Sequence, residues 1–352
     1  MESAGPGNHR SDGPEARHAL TIILDHSVGA DQSMNENYIV EPDVSIVVVN
    51  WNAKDLLKNC MRSIIQETEK PYEIIIVDNA SGDGTVQMVE VEFPDVALIA
   101  NDKNLGFAAA NNQGIRASSG RYLLLLNPDT IVLDGAIDKM IDWCDRHPEV
   151  GCAGCQVFES ETVVQRTCFS DPSPLNTLLV ETGLHRLFPK SHFFGAPAYS
   201  WWDRMSERTV DVVSGMFMLI PRSVFDQVGL LDESFFVYAE EADLCRRIRQ
   251  AGFLCVFNPI ARILHLEGGG KSTSQIKPKM HIEQQKSIMI YIKKYYGFSG
   301  VVVTRIIYVS SKFFRLCLFG SIAKVLGNGE MKARSKLAGV SLAFHLFGLE
   351  TD

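Results

Sequence analysis

Carboxylates placed where strands stop are the residues of this chain best suited to chemistry. The apolar run 122–126 ends at Asn127-Pro128-Asp129. Pro128 cannot extend a ladder and biases Asn127 toward an extended conformation, so the chain turns at the strand's carboxyl end with Asp129 projecting from it. Open α/β sheets bind their ligands along that edge. A lone carboxylate there, beside the Thr130 hydroxyl, suits a hard divalent cation that takes further oxygen ligands from a substrate's phosphates. The same Asp can equally cap the helix that follows. Run 72–78 likewise stops on Asp78, followed by Asn-Ala-Ser-Gly-Asp-Gly-Thr85. Such a loop is either an ordinary Asx-type turn or a cradle for a base or ribose. Further along, Glu240, Glu241 and Asp243 open a helix directly behind an aromatic run, with Arg246, Arg247 and Arg249 one turn later. The macrodipole favours acids at that end, but three exceed what capping requires. His265 precedes the segment 268–274, which is rich in Gly, hydroxyls and Lys271 and suits closing over phosphates. Its spacing is not that of a Walker loop.

Positioning these residues requires buried strands alternating with helices. The β-branched run 44–50 opens the folded part, and Asn52 can cap a helix carrying Leu56, Leu57, Cys60, Met61, Ile64 and Ile65 at helical spacing. Strand 72–78, a helix over 84–92, strand 96–100, a helix over 107–118, strand 122–126 and a helix over 135–146 follow. This alternation predicts an α/β fold, a doubly wound and mostly parallel sheet with helices on both faces. Helix 107–118 is rich in alanine and amide side chains, so it lies either against a ligand or tightly on the sheet. Residues 156–210 read as irregular and as bordering a second substrate. Strand 210–220 is expected to break at Ser214-Gly215, and strand 253–257 follows. Residues 281–296 read as a helix. Stretch 301–326 is apolar but carries Arg305, Lys312 and Arg315, which at about 100° per residue share one face. Such a helix either lies on an anionic membrane surface or docks on the domain or a partner.

Composition narrows the classes. The 352 residues allow one large or two small domains, and 46% hydrophobic residues can fill a core. Net charge −8 argues against a general nucleic-acid binder. The eight cysteines sit mostly in apolar runs and read as reduced cytosolic thiols. Cys152-Ala-Gly-Cys155 has no second pair or nearby His to make a metal site. Residues 1–42 hold no signal peptide and read as a flexible leader, with a catalytic domain over 43–275 and a helical, membrane-associating region over 276–352.

Taken in order, Val-Asn-Trp-Asn (49–52), Ile-Val-Asp-Asn-Ala-Ser (76–81), Asn-Leu-Gly-Phe-Ala-Ala-Ala-Asn-Asn-Gln-Gly (104–114), Leu-Leu-Asn-Pro-Asp-Thr (125–130), Phe-Phe-Val-Tyr-Ala-Glu-Glu-Ala-Asp-Leu-Cys-Arg-Arg (235–247) and His265 resemble glycosyltransferase family 2, of the GT-A fold, in its rhamnosyltransferase-like branch. The resemblance covers roughly 43–296. It implies that Asp78 holds the nucleobase, with Asn50, Asn79, Asn104, Gly106, Asn111 and Asn127 also on the donor. Asp129 would occupy the last position of the family's Asp-x-Asp metal motif, holding Mg²⁺ or Mn²⁺, and His265 would be a further metal or diphosphate contact. The pair Glu240 and Glu241 would contain the catalytic base. Two departures stand out: Asp-x-Asp is reduced to Asn-Pro-Asp, and Glu241 replaces the branch's usual Asp, moving the carboxylate by about one bond length. The expected reaction is inverting transfer from a nucleoside diphosphate sugar, dTDP-rhamnose above others, to a hydroxyl of a lipid-linked acceptor. The enzyme would sit on the inner face of the plasma membrane. The rivals are a nucleotidyltransferase, which would want a Gly-rich basic loop after Asn50, and a weakened sugar-binding subunit of a membrane glycan-assembly complex.

Overall fold

The structure, a computed structural model, describes residues 41–160, 162–266 and 277–348. Nearly all of the expected leader and the whole 268–274 loop lie outside the described residues. The first half alternates as the sequence predicts: β1 (Val44–Asn50), α1 (Lys54–Glu67), β2 (Tyr72–Asp78), α2 (Thr85–Glu92), β3 (Ala97–Ala100), α3 (Phe107–Ala117) and β4 (Tyr122–Leu126). β1 pairs in parallel with both β2 and β4, and β2 with β3. All of β1 and β4 is buried. That explains their unbroken apolar runs, each large aliphatic contributing about 1.5–3 kcal/mol.

The alternation then breaks. After the Asn-Pro-Asp turn comes no helix but a short strand, β5 (Thr130–Leu133), and only then α4 (Ala136–Asp145) and β6 (Val150–Ser160). Among the elements that follow are α5 (Pro174–Thr182), β7 (Phe217–Pro221), α6 (Glu240–Gln250), β8 (Leu254–His265), α7 (Lys277–Leu326, kinked at Gly297) and α8 (Gly329–Phe347), besides shorter helices and two-residue strands. A ten-stranded sheet results, its main path running β3-β2-β1-β4-β7-β6-β8-β5. β7 is antiparallel to β4 and β6, whereas β8 is parallel to β6 and antiparallel to β5. The half made of β3, β2, β1 and β4 is therefore all parallel among itself and the other half mixed. Leu57, Met61, Ile137 and Ile141 fill one face of the sheet, and Ile115, Leu244 and Ile248 the other.

Three local expectations change. Asn52 does not cap α1: its φ is +52° and its Oδ1 accepts from Gly82 N at 2.8 Å, while Asp83 Oδ2 accepts from Lys54 N at 2.9 Å. The cap comes from the neighbouring loop because that contact also ties the β1 and β2 ends together. Residues 156–210 are not wholly irregular, since α5 forms behind Ser173, whose Oγ accepts from Asn176 N at 3.0 Å, with Pro174 in the first turn. Finally, Lys312 does not face outward with Arg305. It is buried, with Nζ 2.8 Å from Glu181 Oε1 of α5, and Arg315 also turns to Glu181. The pair is enclosed between α5 and α7, so the docked alternative holds for this face.

Candidate active site

The carboxyl ends of β1 and β2 stand in register, Asn50 beside Asp78. Asn50 Nδ2 lies 3.1 Å from Asp78 Oδ1 and 3.2 Å from both Ser81 Oγ and Thr85 Oγ1, and Ser81 N donates to Asp78 Oδ2 at 2.8 Å. Both residues are buried, so this pair folds the 78–85 loop. Asn79 performs the same service for the next loop. Its Nδ2 donates to Asn104 Oδ1 at 3.0 Å and to Gly106 O at 3.1 Å, and its Oδ1 accepts from Leu105 N at 3.0 Å.

Gly106 shows why that loop needs glycine. With φ at +88°, a Cβ there would meet the Phe236 carbonyl oxygen at 2.4 Å. The close approach lets Phe107 N donate to Phe236 O at 2.6 Å, joining the 104–107 loop to the segment that carries the acids. Ser287 Oγ of α7 donates to Val237 O at 2.7 Å from the other side. Between these clamps, Tyr238 and Ala239 take φ values of +70° and +66°, unusual for residues with a Cβ. The strained pair turns the chain so that α6 begins at Glu240 with both glutamates on the same cavity as the loops. Asp243 belongs elsewhere: fully buried, it accepts from Arg247 Nε at 2.8 Å and Tyr295 Oη at 2.7 Å and pairs with Lys294 at 2.6 Å, fastening α6 to α7.

β5 gives Asp129 its setting. Because Thr130 pairs with His265 across the β5–β8 ladder, Asp129 Oδ1 comes within 3.1 Å of His265 Nε2 although the two sequence positions are far apart. The contact is not aligned as a hydrogen bond, and Asp129 Oδ1 and His265 Nδ1 are both buried without a partner. An orphaned carboxylate oxygen of this kind fits a cation, and an imidazole nitrogen that carries its proton fits a phosphate oxygen. Among the described residues no group of three or more His, Cys, Asp and Glu gathers. Any ion here would therefore need phosphate oxygens to complete its shell, as Asn-Pro-Asp implied. Thr130 Oγ1 instead donates to Asn127 O at 2.7 Å and closes the turn.

Burial raises both carboxyls of the acid pair. Glu240 is pushed well above the usual range by burial and then by the charge of Glu241, whereas Glu241 is pushed up by burial to about 7. Adjacent buried carboxyls resist carrying two charges, so the pair holds a proton between them to unusually high pH. Glu240 Oε2 and Glu241 Oε2 both lack hydrogen-bond partners.

One cavity of about 680 Å³ is lined by Asn79, Asn104, Gly106, Asn127, Asp129, Glu240, Glu241 and His265. Asn50, Asp78 and Asn111 do not line it; Asn111 Nδ2 donates back to Phe107 O at 2.9 Å within α3. Residues the sequence did not single out also line it, among them Trp51, Gln165, Glu181 and Tyr238. Trp51 and Tyr238 lay inside recognisable motifs. Gln165 and Glu181 carry no local signal, since only the packing of the 156–210 segment brings them in.

A family model described as glycosyl transferase family 2 matches residues 45–229, more than half of the chain. An N-acetylglucosaminyl-diphospho-decaprenol L-rhamnosyltransferase of Mycobacterium tuberculosis is 31% identical over 235 residues, covering 62% of this chain and 75% of that protein. The low-salt glycan biosynthesis hexosyltransferase Agl10 of Haloferax volcanii is 29% identical over 213 residues, 59% of this chain and 62% of that protein. Among solved structures, a mannosyltransferase of Pyrobaculum calidifontis in complex with GDP-Man and Mn²⁺ superposes with a TM-score of 0.51 at 14% identity, covering 89% of both chains. That likeness concerns the fold.

Proposed function

Since the chain belongs to glycosyl transferase family 2, we propose that it is an inverting, metal-assisted transferase that moves a sugar, rhamnose above others, from a nucleoside diphosphate sugar such as dTDP-rhamnose to a hydroxyl of a lipid-linked acceptor in cell-surface glycan synthesis. The observation that carries this reading is the meeting of Asp129 and His265 with Glu240 and Glu241 on one cavity. Asp129 and His265 are the residues to hold Mg²⁺ or Mn²⁺ together with the donor's diphosphate. An ion so held offsets the negative charge that develops on the phosphate oxygens as the anomeric C–O bond breaks.

Glu241 takes the proton of the acceptor hydroxyl as that oxygen attacks the anomeric carbon from the face opposite the diphosphate. A proton retained by the pair keeps a second negative charge from standing beside the base. Asn79, Asn104 and Gly106 wall the donor's nucleotide. Asp78 can reach the base only with lone pairs left over from Asn50 and Ser81, so its main part is to shape the 78–85 loop.

Membrane association is part of the same reading. Along α7, Thr304, Tyr308, Ser311, Lys312 and Arg315 fall within about 100° of one another on the helix, and of these Thr304, Tyr308 and Lys312 are buried. On the opposite side Val302, Ile306, Phe313 and Phe314 are exposed. The stretch Pro278–Leu326 is long and apolar enough to cross a membrane by composition. With Lys312 and Arg315 turned inward to Glu181 and Arg305 exposed, the helix supports lying on the cytoplasmic leaflet with the apolar side down.

The test is transfer from a panel of nucleotide sugars with Mn²⁺ present, wild type against Glu241→Gln. Transfer by the wild type, reduced roughly 10²–10⁴-fold in the variant with donor binding retained, is expected. No transfer or donor hydrolysis from any nucleotide sugar would favour a sugar-binding subunit instead.

A further inference from the structure

The carboxylates and donor loops occupy only part of the cavity wall. Another part comes from the segment before α5, from α5 itself and from α7, and α7 lies wholly beyond the residues that the family model matches. The polar groups there form a different chemistry from the acidic centre. Gln165 lines the cavity with its Oε1 buried and unpartnered. Glu181 is already spoken for, its Oε1 by Lys312 Nζ at 2.8 Å and its Oε2 by Ser311 Oγ at 2.7 Å. Gln285 Oε1 accepts from Ser341 Oγ at 2.6 Å and His345 Nε2 at 2.7 Å, which turns Gln285 Nε2 toward His281 Nε2 at 2.7 Å. Burial and the nearby Lys312 push His281 down to about 4, so the ring is neutral. Accepting at Nε2, it carries its proton on Nδ1 as a donor. Gln284, on the same turn of α7, is exposed and also lines the cavity.

Amides and a neutral imidazole beside the flat apolar side chains of Phe169 and Tyr308 are what a pyranose ring requires, hydroxyls on its edge and apolar C–H groups on its faces. A second nucleotide diphosphate would instead call for unpaired cations, and Lys312 and Arg315 at this end are committed to Glu181. We propose that the α5–α7 end of the cavity is the acceptor subsite, seating the sugar whose hydroxyl faces Glu241, with Gln165 and Gln284 hydrogen-bonding its other hydroxyls and His281 donating from Nδ1. The inference rests on the transferase reading and adds which residues select the acceptor. It assigns the C-terminal helices a part in the site, as its far wall.

The experiment measures steady-state transfer by the full chain with Mn²⁺, a nucleotide sugar active in the panel, and N-acetylglucosaminyl diphosphate on a short prenyl chain as acceptor, for wild type, Gln165→Ala and Gln284→Ala. Each variant should raise the acceptor KM roughly three- to tenfold, the worth of a neutral hydrogen bond, with donor KM and kcat within about twofold. Gln284→Ala places a good helix former on an exposed position, so it tests the subsite without threatening the fold. An unchanged acceptor KM, or a rise in donor KM instead, overturns the assignment. Calorimetric binding of the same acceptor separates this inference from the transfer reading. If the wild type binds the acceptor but turns nothing over, transfer fails while weaker binding by the variants still supports the subsite. Equal binding by all three chains, or none by the wild type, overturns it.

Discussion

Glu240 and Glu241 are sequence neighbours, and burial together with their mutual charge raises the pair above the usual carboxylate range. If Glu241 is the base, kcat/KM falls about tenfold per pH unit below an apparent pKa near 7, because the carboxylate must be free to accept a proton. A pH–rate profile checks this, and a flat profile from pH 5 to 8 removes Glu241 from the role. The same shift has a stability consequence of opposite sense. A carboxyl whose folded pKa is raised favours the fold while protonated, so that stability is present at low pH and is lost as pH rises from about 4.5 through about 7. Glu241→Gln should therefore stabilise the fold at pH 8 by on the order of 1–3 kcal/mol and change little at pH 4, as thermal melts at the two pH values would read. A gain in stability with a loss of turnover is what a site under electrostatic strain predicts. Asp129, His265 and the acid pair were legible in the sequence as chemistry-bearing residues. The raised pKa of the acid pair was not, because it depends on burial that only the packing around α6 decides.

At the scale of elements, two joints hold the site together. The first is the contact of Gly106 with Phe236, which locks the donor loop to the acid-bearing segment. Gly106→Ala must either vacate the left-handed conformation or push Phe236 aside, costing on the order of 3 kcal/mol. Thermal melting should drop accordingly and donor affinity fall with it; a variant that melts like wild type would show the loop to be dispensable. The second joint is Glu181 with Lys312 and Arg315, between α5 and α7. Glu181→Leu alone leaves Lys312 buried without a counter-ion and should cost about 3–5 kcal/mol, whereas the double change with Lys312→Leu should recover most of that. Denaturant melts of both variants decide it, and equal loss in the two would mean that packing, not charge, governs the joint. From sequence, Gly106 sat in a motif that hinted at close approach. Glu181 had no signal, and for Lys312 and Arg315 both an outward and a docked face stayed open, because helix periodicity groups residues on a face without saying which way the face points.

For the whole molecule, the outward apolar side of α7 sets how the enzyme meets its surroundings. Phe313→Ser with Phe314→Ser should lower co-flotation with anionic vesicles severalfold while leaving transfer to a short-chain, water-soluble acceptor within about twofold. Unchanged flotation would mean that this face serves something other than a bilayer. By itself the sequence determined the parallel half of the sheet, since buried strands leave unbroken apolar runs and crossover helices leave a 3.6-residue period. It also determined which residue types stand at the strand ends. Only the tertiary structure decided the rest: β5 follows the Asn-Pro-Asp turn and pairs with the strand of His265, Asn50 and Asp78 turn to each other, and the C-terminal helix closes the far wall of the cavity. Each of these is a pairing between segments distant in the chain, chosen by which buried polar groups satisfy one another, and no local pattern encodes that choice.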